Sequence, residues 1–198
     1  MECCLGGVVS DDAAGKFVSA LGNGGKLEEG GVKSFRLWVY SRLTSWLPES
    51  RGYGLKNALL RWAGARIGKN VRIYSSARIM GVGDLVIGDD VHVGPDVLLY
   101  PNPGGAITIG SHVDIGPRVT IVTGSHEIDP SGDHIGGKGT AAPVVIGSGS
   151  WLCACSTILP GVNLPEKTLV AAGAVVAKSV EAPCSLLAGM PARVKRSM

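Results

Sequence analysis

At 198 residues the chain suits one domain with a short appendage, long enough to bury a core without disulfide staples. Aromatic side chains make up only 5% of it and glycines number 30, so its core must be assembled from Val, Ile, Leu and Ala in a regular way. A net charge of +3 gives no ground for a nucleic-acid partner, no apolar run reaches the ~18 residues of a membrane span, and the first residues lack the basic start and apolar stretch of a secretory signal.

Residues 1–33 lack periodicity, are Gly-rich around 21–25, and are expected to be disordered. Residues 34–47 read as a helix stopped by Pro48, and residues 55–63 as a second helix closed by Gly64. Together, residues 34–64 form a helical cap for whatever follows. A sharper reading of 34–47 is an interfacial helix, with Phe35, Trp38, Trp46 and Leu47 towards lipid and Arg36 and Arg42 at the head groups, on the inner face of a membrane. The five cysteines, Cys3, Cys4, Cys153, Cys155 and Cys184, are odd in number and scattered. That argues against a disulfide framework and for a reducing cytoplasm.

From Ile67 an aliphatic residue returns every six positions. The series are Ile67, Ile73, Ile79; Ile87, Val93, Leu99; Ile109, Ile115, Ile121; and Ile146, Leu152, Ile158, Leu164, Val170, Val176. Four residues after each stands a second small or branched residue, from Val71 and Ala77 through Ser150 and Ser156 to Val180. Six is neither a helical period nor the alternation of an ordinary strand. It fits a short strand followed by a tight turn, with Gly after the aliphatic residue easing the turn. Three units make one triangular coil of ~18 residues, and fifteen units make five stacked coils. The expected fold is therefore all-β, a β-helix over residues 65–181, followed by a basic tail over 182–198. The register slips by two residues before Ile87 and by four before Ile109, and it breaks fully at an excursion loop over 127–143.

The repeat [aliphatic]-Gly-x-x-[small]-x resembles the hexapeptide-repeat transferases, whose coils wind left-handed; the handedness comes from that resemblance alone. The likeness covers residues 65–196. The run Thr123-Gly124-Ser125-His126-Glu127-Ile128-Asp129-Pro130 resembles the catalytic turn of the maltose, nodulation and capsular-polysaccharide O-acetyltransferases, and implies that His126 is a general base. Histidine suits the task because its unperturbed pKa lies near neutrality. A base needs an orienting partner, and Glu127, Asp129 and a backbone carbonyl are the candidates. Trp151, in Ile146-Gly147-Ser148-Gly149-Ser150-Trp151-Leu152-Cys153, matches the family's Ile-Gly-x-x-Val-Trp-Ile-Gly, with Ser150 for Val and Cys153 for Gly. By the same likeness Trp151 lines the site and the Ala154 backbone amide faces the thioester carbonyl.

Further along, Ala171-Ala172-Gly173-Ala174-Val175-Val176-Ala177-Lys178 resembles a segment that follows the pantetheine and phosphates of CoA. Ala172, Ala177 and Lys178 are thus candidate cofactor contacts, with Ala177 in place of the usual Thr. The closing Ala188-Gly189-Met190-Pro191-Ala192-Arg193 resembles the family's Ala-Gly-x-Pro-Ala-Arg, and Arg193 and Arg196 would meet phosphate there. The implied donor is acetyl-CoA and no metal is expected. The implied assembly is a homotrimer with sites between subunits. The implied acceptor is a hydroxyl of a sugar or polysaccharide precursor, free or lipid-linked, because Gly94 replaces the acceptor-binding Asn of the maltose and galactoside branch.

Two alternatives stand beside this. One is N-acetylation of an amino-sugar with the same base. The other is a metal-dependent protein like the γ-type carbonic anhydrases, for which His92, His112, His126 and His134 would supply ligands. The reading places His92 and His112 in the hexad column of His126.

Overall fold

The computed structural model describes residues 32–198. The disorder expected over 1–33 therefore falls almost wholly outside the described residues. Its last two positions are packed: Val32 is buried, and the Lys33 amide donates to Ala63 O at 2.9 Å. Helix α1 (Ser34–Thr44) is followed by a turn into Pro48, and α2 (Tyr53–Ala63) ends at Gly64, whose left-handed backbone closes the helix.

The coil is a left-handed parallel β-helix of three flat sheets. Sheet one stacks β1 (Arg66–Ile67), β4 (Asp84–Ile87), β7 (Ala106–Ile109), β12 (Val144–Ile146) and β15 (Asn163–Leu164). Sheet two stacks β2 (Arg72–Ile73), β5 (His92–Val93), β8 (Asp114–Ile115), β13 (Trp151–Leu152) and β16 (Leu169–Val170). Sheet three stacks β3 (Arg78–Ile79), β6 (Leu98–Tyr100), β9 (Thr120–Val122), β14 (Thr157–Ile158) and β17 (Val175–Val176). All fifteen aliphatic residues of the hexads lie in these strands and point inward, each buried on its neighbour one coil away. A fully buried side chain of this size contributes roughly 1.5–3 kcal/mol, so the axis is where the stability resides.

Two expectations are corrected. The glycine after each aliphatic residue does not supply the turn's unusual backbone. The left-handed residue stands two places later, at Asn70, Asp90, Asp96, His112, Arg118, Cys155 and Lys167. The glycines are there because coils touch: a Cβ at Gly116 would stand 2.9 Å from Ala154 N. The basic tail over 182–198 is also part of the fold. Strand β18 (Ser185–Ala188) adds a parallel rung to sheet two, and β19 (Arg193–Ser197) folds back antiparallel on it.

The cap is stapled to the first coil by Lys56, which has no exposed surface. Its ammonium donates to Glu49 O at 2.9 Å and Ile73 O at 3.1 Å and lies over the Tyr53 ring. Burial lowers its pKa and Glu49 opposes the shift.

In the later coils the second inward column turns polar. Ser150 Oγ accepts from Thr168 N at 3.1 Å, but among the described residues the buried Ser156 hydroxyl has no partner. A buried unpaired hydroxyl costs about 1–3 kcal/mol. Ser156→Ala is therefore expected to stabilise the protein by about 1 kcal/mol, measured as a shift in the denaturant midpoint at unchanged slope.

Candidate active site

All three register slips fall at one corner of the prism, where sheet three gives way to sheet one. The corner segments are residues 80–83, then 100–105, then 123–143. They stack on one another. The Asn102 amide donates to Thr123 Oγ1 at 2.7 Å, and the Asn102 side chain lies so close to Gly124 that a Cβ there would stand 2.5 Å from its Cγ. Thr123 is wholly buried, and its carbonyl accepts from Ala142 N at 2.8 Å. Sequence reasoning missed Asn102 and Thr123 as supports, although the recurrence of slips once per coil was a signal for them.

On this foundation the excursion forms a hairpin of β10 (Gly124–Ile128) and β11 (Gly136–Ala141). His126 pairs with Gly139 across the ladder, and its Nδ1 lies 2.9 Å from Gly137 O. A carbonyl can only accept, so this contact requires the proton on Nδ1, and in the neutral ring the lone pair is then on Nε2. The backbone carbonyl therefore holds the orienting position for which Glu127 and Asp129 were also candidates. Glu127 falls where the register of the ladder shifts, between His126 and Ile128. Asp129 is engaged at the hairpin tip, where it accepts from Ser131 Oγ at 2.7 Å and from the Ser131 and Gly132 amides. The Ser131 bonds hold its carboxylate below the usual range.

The expected donor-side residues lie elsewhere on the prism. Trp151, half exposed, stands on the outer face of sheet two between Asp114 and Leu169. Arg193 and Arg196 lie at the end of the same sheet, on β19. Ala154 and Ala172 occupy the turns from sheet two to sheet three in coils four and five, where coils two and three carry Pro95 and Pro117. Among the described residues neither alanine's N–H donates to a protein acceptor, whereas Cys153 N bonds Val170 O and Gly173 N bonds Ala154 O. Ala177 and Lys178 are exposed just beyond β17, on the His126 corner but two coils on. One chain thus gathers His126, Ala177 and Lys178 at one corner, and Trp151, Ala154, Ala172, Arg193 and Arg196 on another face.

The other histidines do not share His126's place. His92 is on β5, 3.8 Å from Asp114, and burial, helped by Arg72 and opposed by Asp114, lowers its pKa. His112 is a left-handed turn residue near Asp90, not a member of the His126 column, and His134 lies in the exposed hairpin turn. Among the described residues no three His, Cys, Asp or Glu side chains are grouped so as to hold a metal ion. Cys153 is half buried, and burial raises its thiol pKa, which suits packing rather than nucleophilic chemistry.

No family model matches the chain. It is 38% identical over 155 residues, 77% of this chain and 81% of the other, to WcaF of Escherichia coli, a protein named for acetyl transfer in colanic acid biosynthesis. The chain belongs to the hexapeptide-repeat acetyltransferase family. As such it is an acyltransferase among relatives that include sugar-modifying enzymes. Two solved structures share its fold. A maltose O-acetyltransferase from Clostridium difficile superposes with a TM-score of 0.60 at 23% identity, over 84% of this chain and 86% of that one. A hexapeptide-repeat acetyltransferase from Vibrio cholerae, complexed with acetyl coenzyme A, gives 0.55 at 24% identity, over 94% and 91%.

Thr123→Val removes the acceptor for the Asn102 amide at the hairpin root. It should cost about 1–2 kcal/mol and speed amide exchange across residues 124–141 more than in the coils, as read by hydrogen-exchange mass spectrometry.

Proposed function

We propose that this acetyltransferase moves the acetyl group of acetyl-CoA onto a hydroxyl of a sugar in a polysaccharide precursor, with His126 as general base. The observation that carries the reading is the His126–Gly137 contact, which fixes the ring and presents Nε2 as the proton acceptor. The printed name of the E. coli relative, from colanic acid biosynthesis, supports a polysaccharide acceptor, and the Vibrio structure supports the donor.

The reaction runs in a ternary complex. Nε2 takes the hydroxyl proton as the oxygen attacks the thioester carbonyl carbon. The Ala154 N–H, free of protein partners, donates to the oxyanion that forms. Collapse breaks the C–S bond, and the imidazolium returns its proton to the departing thiolate, leaving an acetyl ester and CoA. Trp151 flanks the thioester, Ala172 and Ala177 follow the pantetheine, and Lys178, Arg193 and Arg196 meet phosphate.

His126 and Ala154 leave the prism at different corners, so a site that uses both is completed between neighbouring copies. The family likeness supports a closed homotrimer with three such sites as that assembly.

His126→Ala should lower turnover by about 10²–10⁴-fold in a thiol-release assay while light scattering still reports a trimer; wild-type turnover would remove His126 from the mechanism. Ala154→Pro tests the amide alone, because Pro95 and Pro117 already occupy the equivalent turns. It should fold, bind CoA and lose about 10²-fold or more in kcat. Ester rather than amide product, identified by its lability to mild base, separates O- from N-acetylation.

A further inference from the structure

Helix α1 buries one stripe, Leu37, Tyr40 and Thr44, against the rest of the protein. Positions 35, 38, 39 and 42 lie on the opposite side of a 3.6-residue helix, and 46 extends that line past its end. They are Phe35, Trp38, Val39, Arg42 and Trp46. Phe35 is 71% and Trp46 88% exposed. Phe35 stacks on Trp38 at 6.1 Å, and the Arg42 guanidinium lies over Trp38 at 5.8 Å. On α2 the exposed Trp62 ring lies beneath Arg36, which also donates to Trp62 O at 2.7 Å. The helix is thus apolar on two opposite sides, and only one is covered within the described residues.

The same end of the molecule is strongly basic. Residues 32–80 carry ten Lys and Arg against Glu49 alone, a charge of +9, whereas residues 81–198 carry seven Lys and Arg against ten Asp and Glu, a charge of −3. The basic side chains extend from the cap onto the first coil, where Arg66, Arg72 and Arg78 point outward, one from each sheet. Only Lys56 among the ten is buried.

We infer that the cap face, with Phe35, Trp38, Trp46 and Trp62 set among Arg36, Arg42, Arg51 and Arg61, docks on an anionic membrane surface. The exposed aromatic residues stand among cations, a mixture that suits insertion between anionic lipid head groups. Two such faces would repel one another, which argues against a second copy as the occupant. A chain with uniform charge would gain no orientation at a membrane. Here the contrast between the +9 of residues 32–80 and the −3 of residues 81–198 turns the basic end, and the aromatic ridge with it, towards the bilayer. The inference stands on the cap alone and does not need the acceptor assigned above.

The test is flotation of the full-length protein with vesicles of phosphatidylcholine alone and with about a third phosphatidylglycerol. Binding is expected only with the anionic vesicles, and it should weaken as salt rises. Phe35→Ser with Trp46→Ser should weaken partition by about ten-fold or more and leave solution acetyl transfer unchanged. Failure of the wild-type protein to float with anionic vesicles would overturn the inference, as would equal binding by the double variant. A change in oligomeric mass in the double variant would assign the ridge to a subunit contact and overturn it too.

Discussion

Everything in this molecule depends on coils that return to register. Each of the fifteen hexad strands hydrogen-bonds to the coil before or after it, and each inward aliphatic residue meets its equivalents one coil away. A side chain moved one place along would leave its column, so the period of six is enforced at every step. Extra residues survive only where they can leave sideways. The corner between sheets three and one is that place, and the three departures there grow from coil to coil until the last carries a histidine.

The hairpin is consequently less independent than its exposure suggests. Its root is bound to the corner segment of the preceding coil through Asn102 and Thr123, and that segment rests on the one before it. The imidazole is held by main chain, not by a carboxylate. Such an arrangement fixes the tautomer through an uncharged partner.

The coil was legible from residue 67 onward because burial repeats with a period no other element uses, and fifteen hexads became fifteen strands. The boundaries of both helices were close, with Gly64 marking the end of α2, but α1 stops at Thr44, three residues short of the end expected before Pro48. What sequence could not resolve was anything decided across coils. The role of the hexad glycines is a contact eighteen or more residues away, so it was misattributed to the local turn. His112 stands two places before the last position of its hexad, at the left-handed turn, and so lies outside the column of His126. The partner of His126 is a carbonyl, which no residue type advertises. The unpaired amide of Ala154 became visible only when the prolines of the same turn in earlier coils were seen beside it.

The concentration of all departures at one corner has a consequence for how such a protein can change. The faces that carry Trp151, Ala154 and the closing arginines belong to coils whose register is unbroken. The corner that carries His126 is already an excursion, and lengthening it adds only a slowly growing loop entropy. Variation in the hairpin and its two supporting segments therefore leaves the axial columns untouched. The scaffold separates a half held by its columns from a half whose loops can change length without disturbing the folding of the axis.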